Sequence, residues 1–202
     1  MPKAYSPQDH YFHLAKKRGF RARSAFKLEE ILEKFPHLLP KKAKVIDLGS
    51  APGSFLQVLL EKMRKHGKIL GIDLQKIERF PGEIAEIHLL QRDIFSDIVA
   101  AEIQKVFPEK VDLITSDLAP NTMGVRDVDQ WKSVELNQRV LELCKRFLKP
   151  GGNLITKIFV GEDFQEFWKG EFQRKFKKSR TFKPKACRDR SFETFLIGEG
   201  FQ

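Results

Sequence analysis

Two lysines and two carboxylates fall where a folded chain would hold them beside one another. Lys157 ends the apolar run in "LITKIF", and Asp117 follows the one in "VDLITSDLAP". Glu193 opens "ETFLIGEGF", and Lys27 lies in "RARSAFKL". A lysine at the end of a strand that otherwise reads as core needs a partner, because lysines are seldom buried unpaired. Asp117, one strand over, is that partner. Read without context, the pair also suits an ion pair closing a sheet edge, and Lys27 suits a solvated helix lysine.

A second constellation is the stretch "VIDLGSAPGSF" over residues 45–55. An apolar run ends in a turn made of Gly49, Ser50, Ala51, Pro52 and Gly53, and a helical pattern begins around Phe55. A dinucleotide would bring its pyrophosphate to the helix amino terminus, where glycines let it approach. Pro52 fits a first helical turn, since its missing N–H is not needed there. It also removes a donor that a phosphate would use. A cofactor without phosphate loses nothing by this, and S-adenosylmethionine is such a cofactor. Asp73 lies 20 residues after Gly53, at the end of a second strand, where it can accept both ribose hydroxyls. Asp93, ending a third strand, suits the adenine amino group. The loop alone is also compatible with a bare strand–helix turn. Carboxylates at successive strand ends argue for a ligand, because open α/β sheets bind ligands at the carboxyl ends of their strands.

The elements that must position these residues follow from periodicity. Apolar residues in 22–35 recur at helical spacing, with Ser24 as a candidate cap and Pro36 and Pro40 as stops. Strands are expected at 44–48, 68–74, 86–93, 111–120, 152–159 and 192–201, and helices at 53–65, 129–148 and 162–176. Strands alternating with helices predict an α/β fold, a mostly parallel sheet with helices on both faces. One domain over residues 1–202 is expected, with 1–44 as a basic amino-terminal extension and helix and 45–202 as a Rossmann-like core.

The chain carries a net charge of +10 over 202 residues, unevenly placed. Residues 1–44 balance to +7, residues 169–190 to +8, and the remainder to −5. If the fold brings both ends onto one face, a polyanion-binding surface results; two solvated basic segments that meet nothing are the alternative. No apolar run approaches the ~20 residues that span a bilayer, and "MPKAYSPQDH" lacks the apolar core of a signal peptide. Cys144 and Cys187 make neither a disulfide framework nor a metal site by themselves. A cytoplasmic protein without a membrane partner or a metal is expected, as a monomer.

The segments "GFRARSAFKL", "VIDLGSAPGSF", "GIDL", "SDLAPNTMG", "LKPGGNLITKIF" and "KPKACRDRSFETF" occur in the order and at the spacing of the FtsJ-like RNA 2′-O-ribose methyltransferases, and the chain resembles that family from about Asp9 to Phe201. The resemblance implies a seven-stranded Rossmann-like methyltransferase sheet and S-adenosylmethionine as donor. It also implies a catalytic tetrad on Lys27, Asp117, Lys157 and Glu193, and cofactor contacts from Gly53, Phe55, Asp73, Asp93 and Asp117. Phe55 stands where bacterial ribosomal members usually carry tryptophan, Cys187 replaces a common serine, and Phe195 a common tyrosine.

The implied chemistry is transfer of a methyl group to a ribose 2′-hydroxyl, with Lys157 as base or as a steering cation. A free lysine has a pKa of ~10.4, so a base role requires the site to lower it. Lys27 and Glu193 would position the ribose and its neighbouring phosphate. Arg21, Arg23, Lys183, Lys185 and Arg188 are the expected phosphate contacts. The expected substrate is a uridine of 23S rRNA in the assembled large subunit. A transfer-RNA anticodon-loop ribose is one alternative, and a non-catalytic rRNA-binding assembly factor another. A small-molecule acceptor would leave the basic ends without a purpose.

Overall fold

The computed structural model describes residues 9–64, 66–80, 86–121, 123–188 and 191–202. The opening segment read above for a signal peptide therefore lies largely outside the described residues. Seven strands form one sheet: β1 (Lys44–Leu48), β2 (Lys68–Asp73), β3 (Glu86–Gln91), β4 (Val111–Ser116), β5 (Leu148–Phe159), β6 (Phe176–Phe182) and β7 (Glu193–Phe201). Their order is β3-β2-β1-β4-β5-β7-β6. The first five run parallel, and β7 is antiparallel to both β5 and β6.

Alternation along the strands divides the core in two. Val45, Ile69, Leu113, Ile155 and Phe195 face helices α2 (Ala25–Lys34) and α3 (Ser54–Lys62). Ile46, Leu70, Ile114 and Leu154 face α4 (Val99–Val106), α5 (Arg126–Phe147) and the short α6 (Phe164–Phe167). An outlying helix, α1 (His10–Arg18), is capped by Asp9, whose carboxylate accepts from Phe12 N–H.

Three expectations change. Ser24 does not cap α2; its hydroxyl lies 2.7 Å from that of Ser54. The helix expected over 162–176 is broken: α6 passes into a wide turn at Trp168–Phe172 and a tight one at Gln173–Lys175. Gly170 weakens the helix there, and the stacked rings of Phe164, Trp168 and Phe172 hold the looser turn. The second basic segment becomes the edge strand β6, whose Lys177 and Lys178 are exposed. Charge on an edge strand discourages pairing with other chains.

The two basic ends do meet. Arg23 donates to the Ala186 carbonyl, the Lys185 N–H donates to Glu30 Oε2 at 2.8 Å, and Ala186 packs against Ala15 and Phe26.

Candidate active site

The loop between β1 and α3 is shaped by what glycine permits. Gly49 has φ +73°, and a Cβ there would come within 3.0 Å of the Leu118 backbone nitrogen. Gly53 has φ +109°, and a Cβ there would come within 2.6 Å of Arg21 Nη1. The positive φ suits both positions to glycine, and a Cβ would press on the Leu118 backbone at 49 and displace the Arg21 guanidinium at 53. The Ser50 hydroxyl is buried and committed, donating to the Asp47 carbonyl at 2.6 Å and accepting from Ile72 N–H at 3.1 Å. Ala51 N–H donates to Asp73 Oδ2 at 2.8 Å, tying the loop to the end of β2.

A cavity of about 450 Å³ opens at the carboxyl ends of β1, β2 and β4. Asp73, Asp93 and Asp117 line it, with Gly49 and Ala51 from the loop. Asp73 Oδ1 also accepts from Gln75 N–H, and Asp93 Oδ1 from Phe95 N–H, so turns that follow their strands fix both carboxylates. Leu118, Leu136 and the half-exposed Phe95 supply apolar walls.

The four chemistry-bearing residues converge at one side of this cavity. Ser116 pairs with Thr156, which brings Asp117 level with Lys157; Phe159 pairs with Glu193. A two-residue period then puts Lys157 and Glu193 on the face covered by α2, which carries Lys27. Lys157 Nζ donates to the Asp117 carbonyl at 2.8 Å and lies 2.9 Å from Asp117 Oδ1. The second contact is an ion pair without hydrogen-bond alignment, so buried Oδ1 keeps an accepting position that no described residue fills. Lys27 Nζ is 2.9 Å from both Glu193 oxygens. Burial pulls the Lys27 pKa down, but Asp117 and Glu193 outweigh it and hold it above its ordinary value. Lys27 is therefore a buried, permanent cation. Burial and Glu193 push the nearby Cys187 thiol up to about 12 against the pull of Lys27, so it stays protonated.

A carboxylate-rimmed cavity thus shares Asp117 with the Lys157 pair, and the Lys27–Glu193 pair stands beside it. The profile of the FtsJ-like methyltransferases matches residues 20–201. The chain belongs to the FtsJ-like methyltransferase family. It is 36% identical to ribosomal RNA large subunit methyltransferase E of Myxococcus xanthus, over 98% of this chain and 91% of that protein. It is 39% identical to the protein of the same name from Alkalilimnicola ehrlichii, over 96% and 90%. Among solved structures, a Plasmodium falciparum protein named a ribosomal RNA methyltransferase superposes with a TM-score of 0.79 at 28% identity, covering 90% of this chain and 98% of that one.

Within this FtsJ-like site, the sequence-predicted residues divide by what they touch. Gly49, Ala51, Asp73, Asp93 and Asp117 line the cavity; Ser50, Pro52, Gly53 and Phe55 do not. Ser50, Pro52 and Gly53 shape the loop, and Phe55 is buried with its ring stacked on Phe195, centroids 6.4 Å apart. Leu118, Leu136 and Phe95 went unnoticed in the sequence. The signal available was the apolar pair Ile94–Phe95 directly after Asp93.

Two of the expected phosphate contacts are spent on the protein. Arg21 donates to the carbonyls of Pro52, Glu78 and Arg79 at 2.7–3.0 Å and lies 4.0 Å over the Phe80 ring. Arg23 binds Asp9 and the Ala186 carbonyl. Arg188 also approaches Asp9, at 3.7 Å. Lys183 remains exposed while one of its protons goes to the Ser191 carbonyl, and Lys185 is exposed.

Behind the loop, Asp47 is fully buried, with Oδ1 accepting from the Thr115 hydroxyl at 2.6 Å and Oδ2 without a hydrogen-bond partner among the described residues. Burial raises its carboxyl to about 7, against the pull of the Thr115 and Ser50 hydroxyls and with help from Asp117 and Asp73. An unfolded aspartate titrates near ~3.9. Between those values the folded chain holds one more proton than the unfolded chain, so this group makes stability fall as pH rises from about 4 to about 7 and changes nothing above. Asp47→Asn, which mimics the protonated form, should remove that fall. It should gain on the order of 2–4 kcal/mol over the parent at pH 8. Urea unfolding at pH 5 and pH 8 checks this; an identical pH dependence in both proteins would refute it.

Proposed function

We propose that the protein transfers a methyl group from S-adenosylmethionine to a ribose 2′-hydroxyl of RNA, and that its target is a uridine of the large-subunit ribosomal RNA in the assembled particle. The observation that carries this reading is Asp117, which belongs both to the cavity and to the Lys157 pair. A donor seated in the cavity therefore ends beside the lysines. The names of the relatives from Myxococcus and Alkalilimnicola support the ribosomal target, as does the junction of the two basic ends.

The cavity suits this donor by charge. Four carboxylates, Asp73, Asp93, Asp117 and Glu135, line it against two cations, Arg92 and Lys132, and this excess of negative charge favours a cationic, phosphate-free nucleoside over a pyrophosphate. S-adenosylmethionine supplies a methyl group made electrophilic by its sulfonium. Asp73 holds the ribose, Asp93 lies by the base, and Leu118 and Leu136 keep water from the apolar side. At the acceptor, Asp117 Oδ1 has the free accepting position for the hydroxyl hydrogen and would take the proton that the oxygen gives up as it gains the methyl group. Lys157, fixed by two contacts to Asp117, aims its amine at the hydroxyl oxygen and holds it in line. Lys27 remains cationic next to Glu193 and stabilises negative charge developing on that oxygen. Catalysis comes chiefly from positioning and from this charge.

Arg21 acts here through the loop. Losing its three carbonyl contacts frees Pro52, so Arg21→Ala should weaken S-adenosylmethionine about tenfold. The slope of log RNA affinity against log salt should stay as it is. Calorimetry and salt titration read the two effects; a shallower slope with unchanged donor affinity would return Arg21 to the phosphate contacts. The exposed Lys16, Lys17, Lys183 and Lys185 carry the phosphate contacts instead.

The substrate is tested by tritiated methyl transfer to large subunits from a methylation-deficient strain and, separately, to unmodified transfer RNA. Labelling of the subunits at one uridine is expected. Labelling of transfer RNA with the subunits untouched would overturn the ribosomal assignment.

A further inference from the structure

A second cavity, of about 310 Å³, lies on the other side of the tetrad. Val160, Phe164, Thr181, Lys183 and Phe192 line it, and so does Glu193. The tetrad thus stands between two cavities: Asp117 is shared with the first and Glu193 with the second. With the donor in the first, the second lies next along the sheet order, beside Glu193, and is open to an acceptor strand.

The chemistry of this second cavity is that of a nucleotide. Phe192 presents an aromatic ring, held edge-on by Phe159 at 4.8 Å, with the Arg126 guanidinium 5.6 Å from its centroid. Lys183 brings a cation fixed by the Ser191 carbonyl. The Thr181 hydroxyl makes no hydrogen bond among the described residues, and β6 exposes it. Val160 on its lining is exposed, and of the nine exposed large hydrophobic residues among the described ones Met123, Val125, Val128 and Trp131 lie just before α5 or in its first turns. Gln130 Nε2 donates to the Val160 carbonyl at 2.7 Å and joins the two segments. An apolar cluster of that kind marks a binding surface, and aromatic faces flanked by cations suit unstacked bases of single-stranded RNA.

We infer that this cavity receives the base of a nucleotide next to the methylated one, stacked on Phe192, with its phosphate at Lys183. The inference rests on the RNA reading above. It gives the enzyme a grip on an unpaired strand at the reacting end, with Lys183 joining this cavity to the second basic segment.

The test measures kcat and KM on undermethylated large ribosomal subunits, with S-adenosylmethionine affinity by calorimetry, for the full chain and three variants. Phe192→Ala removes the stacking face and should raise KM for the subunits about tenfold or more. Phe192→Trp keeps the face and should stay near the parent. Thr181→Phe fills the cavity from an exposed edge-strand position and should raise KM as Phe192→Ala does. Donor affinity should be unchanged in all three. An unchanged KM in both Phe192→Ala and Thr181→Phe would overturn the inference and leave the methyl-transfer reading standing. Loss of donor affinity in step with KM would overturn it too, by showing a collapsed site. If the parent itself labels no RNA, the RNA reading fails and takes this pocket with it.

Discussion

Replacing Lys157 by methionine should lower kcat by roughly a thousandfold, because removing one positioned group that stabilises charge in the transition state costs on that order. The substitution keeps most of the buried aliphatic stem and deletes the amine that contacts Asp117 twice. Donor affinity should hold or rise slightly, since Asp117 would then face a cationic donor without its own counter-ion. Stability should fall by ~1–3 kcal/mol, because the carboxylate left without its cation is partly buried, so the rates are to be measured on protein shown to be folded. A variant that binds donor and turns over normally would remove Lys157 from the mechanism. Lys27→Met should act in the same direction, with Glu193 left without its cation.

Asp73→Ala should weaken S-adenosylmethionine about a hundredfold, ~3 kcal/mol. Asp73 does two things: it holds Ala51 N–H, and so the loop, and it faces the cavity where the ribose would lie. Both are lost together. Asp73→Asn retains one accepting oxygen and should recover part of the affinity. Calorimetry measures both variants, and donor affinity unchanged in Asp73→Ala would separate the cavity from the cofactor. Acceptor KM should move little, because Asp73 is two strands from Asp117 in the sheet order.

The central strands and the residues at their ends were legible because two signals agree there. A short apolar run sets a buried strand, and a polar residue directly after it must lie at the carboxyl end of the sheet. Asp73 and Asp117 follow from that rule alone; Lys157, read as the end of its strand, lies inside β5 two residues before Phe159, and register then brings Glu193 alongside. Strand β6 was not legible. Its sequence, "FKKSRTF", reads as a solvated basic stretch, since an edge strand needs exposed charge and only one neighbour. The break after α6 was hidden for a different reason: the aromatic spacing of Phe164, Trp168 and Phe172 fits a regular helix as well as a loosened one. Arg21 and Arg23 show the limit of reading charge. The sequence gives their sign, but the carbonyls that occupy Arg21 come from residues 52, 78 and 79, far along the chain. Phe55 sits one residue into α3, where helical phase turns its ring toward Phe195 and away from the cavity.

The position of the transferred methyl group tests the account most directly. A 2′-O-methyl group removes the hydroxyl that attacks the adjacent phosphodiester in alkali, so a methylated ribose protects its 3′ linkage. Large subunits labelled with tritiated S-adenosylmethionine can be stripped of protein, hydrolysed in alkali and separated by size. The account predicts that the label is recovered in alkali-resistant dinucleotides, and that it appears there about a thousandfold more slowly when Lys157→Met replaces the parent. Label released in mononucleotides, as a methylated base would give, would contradict it.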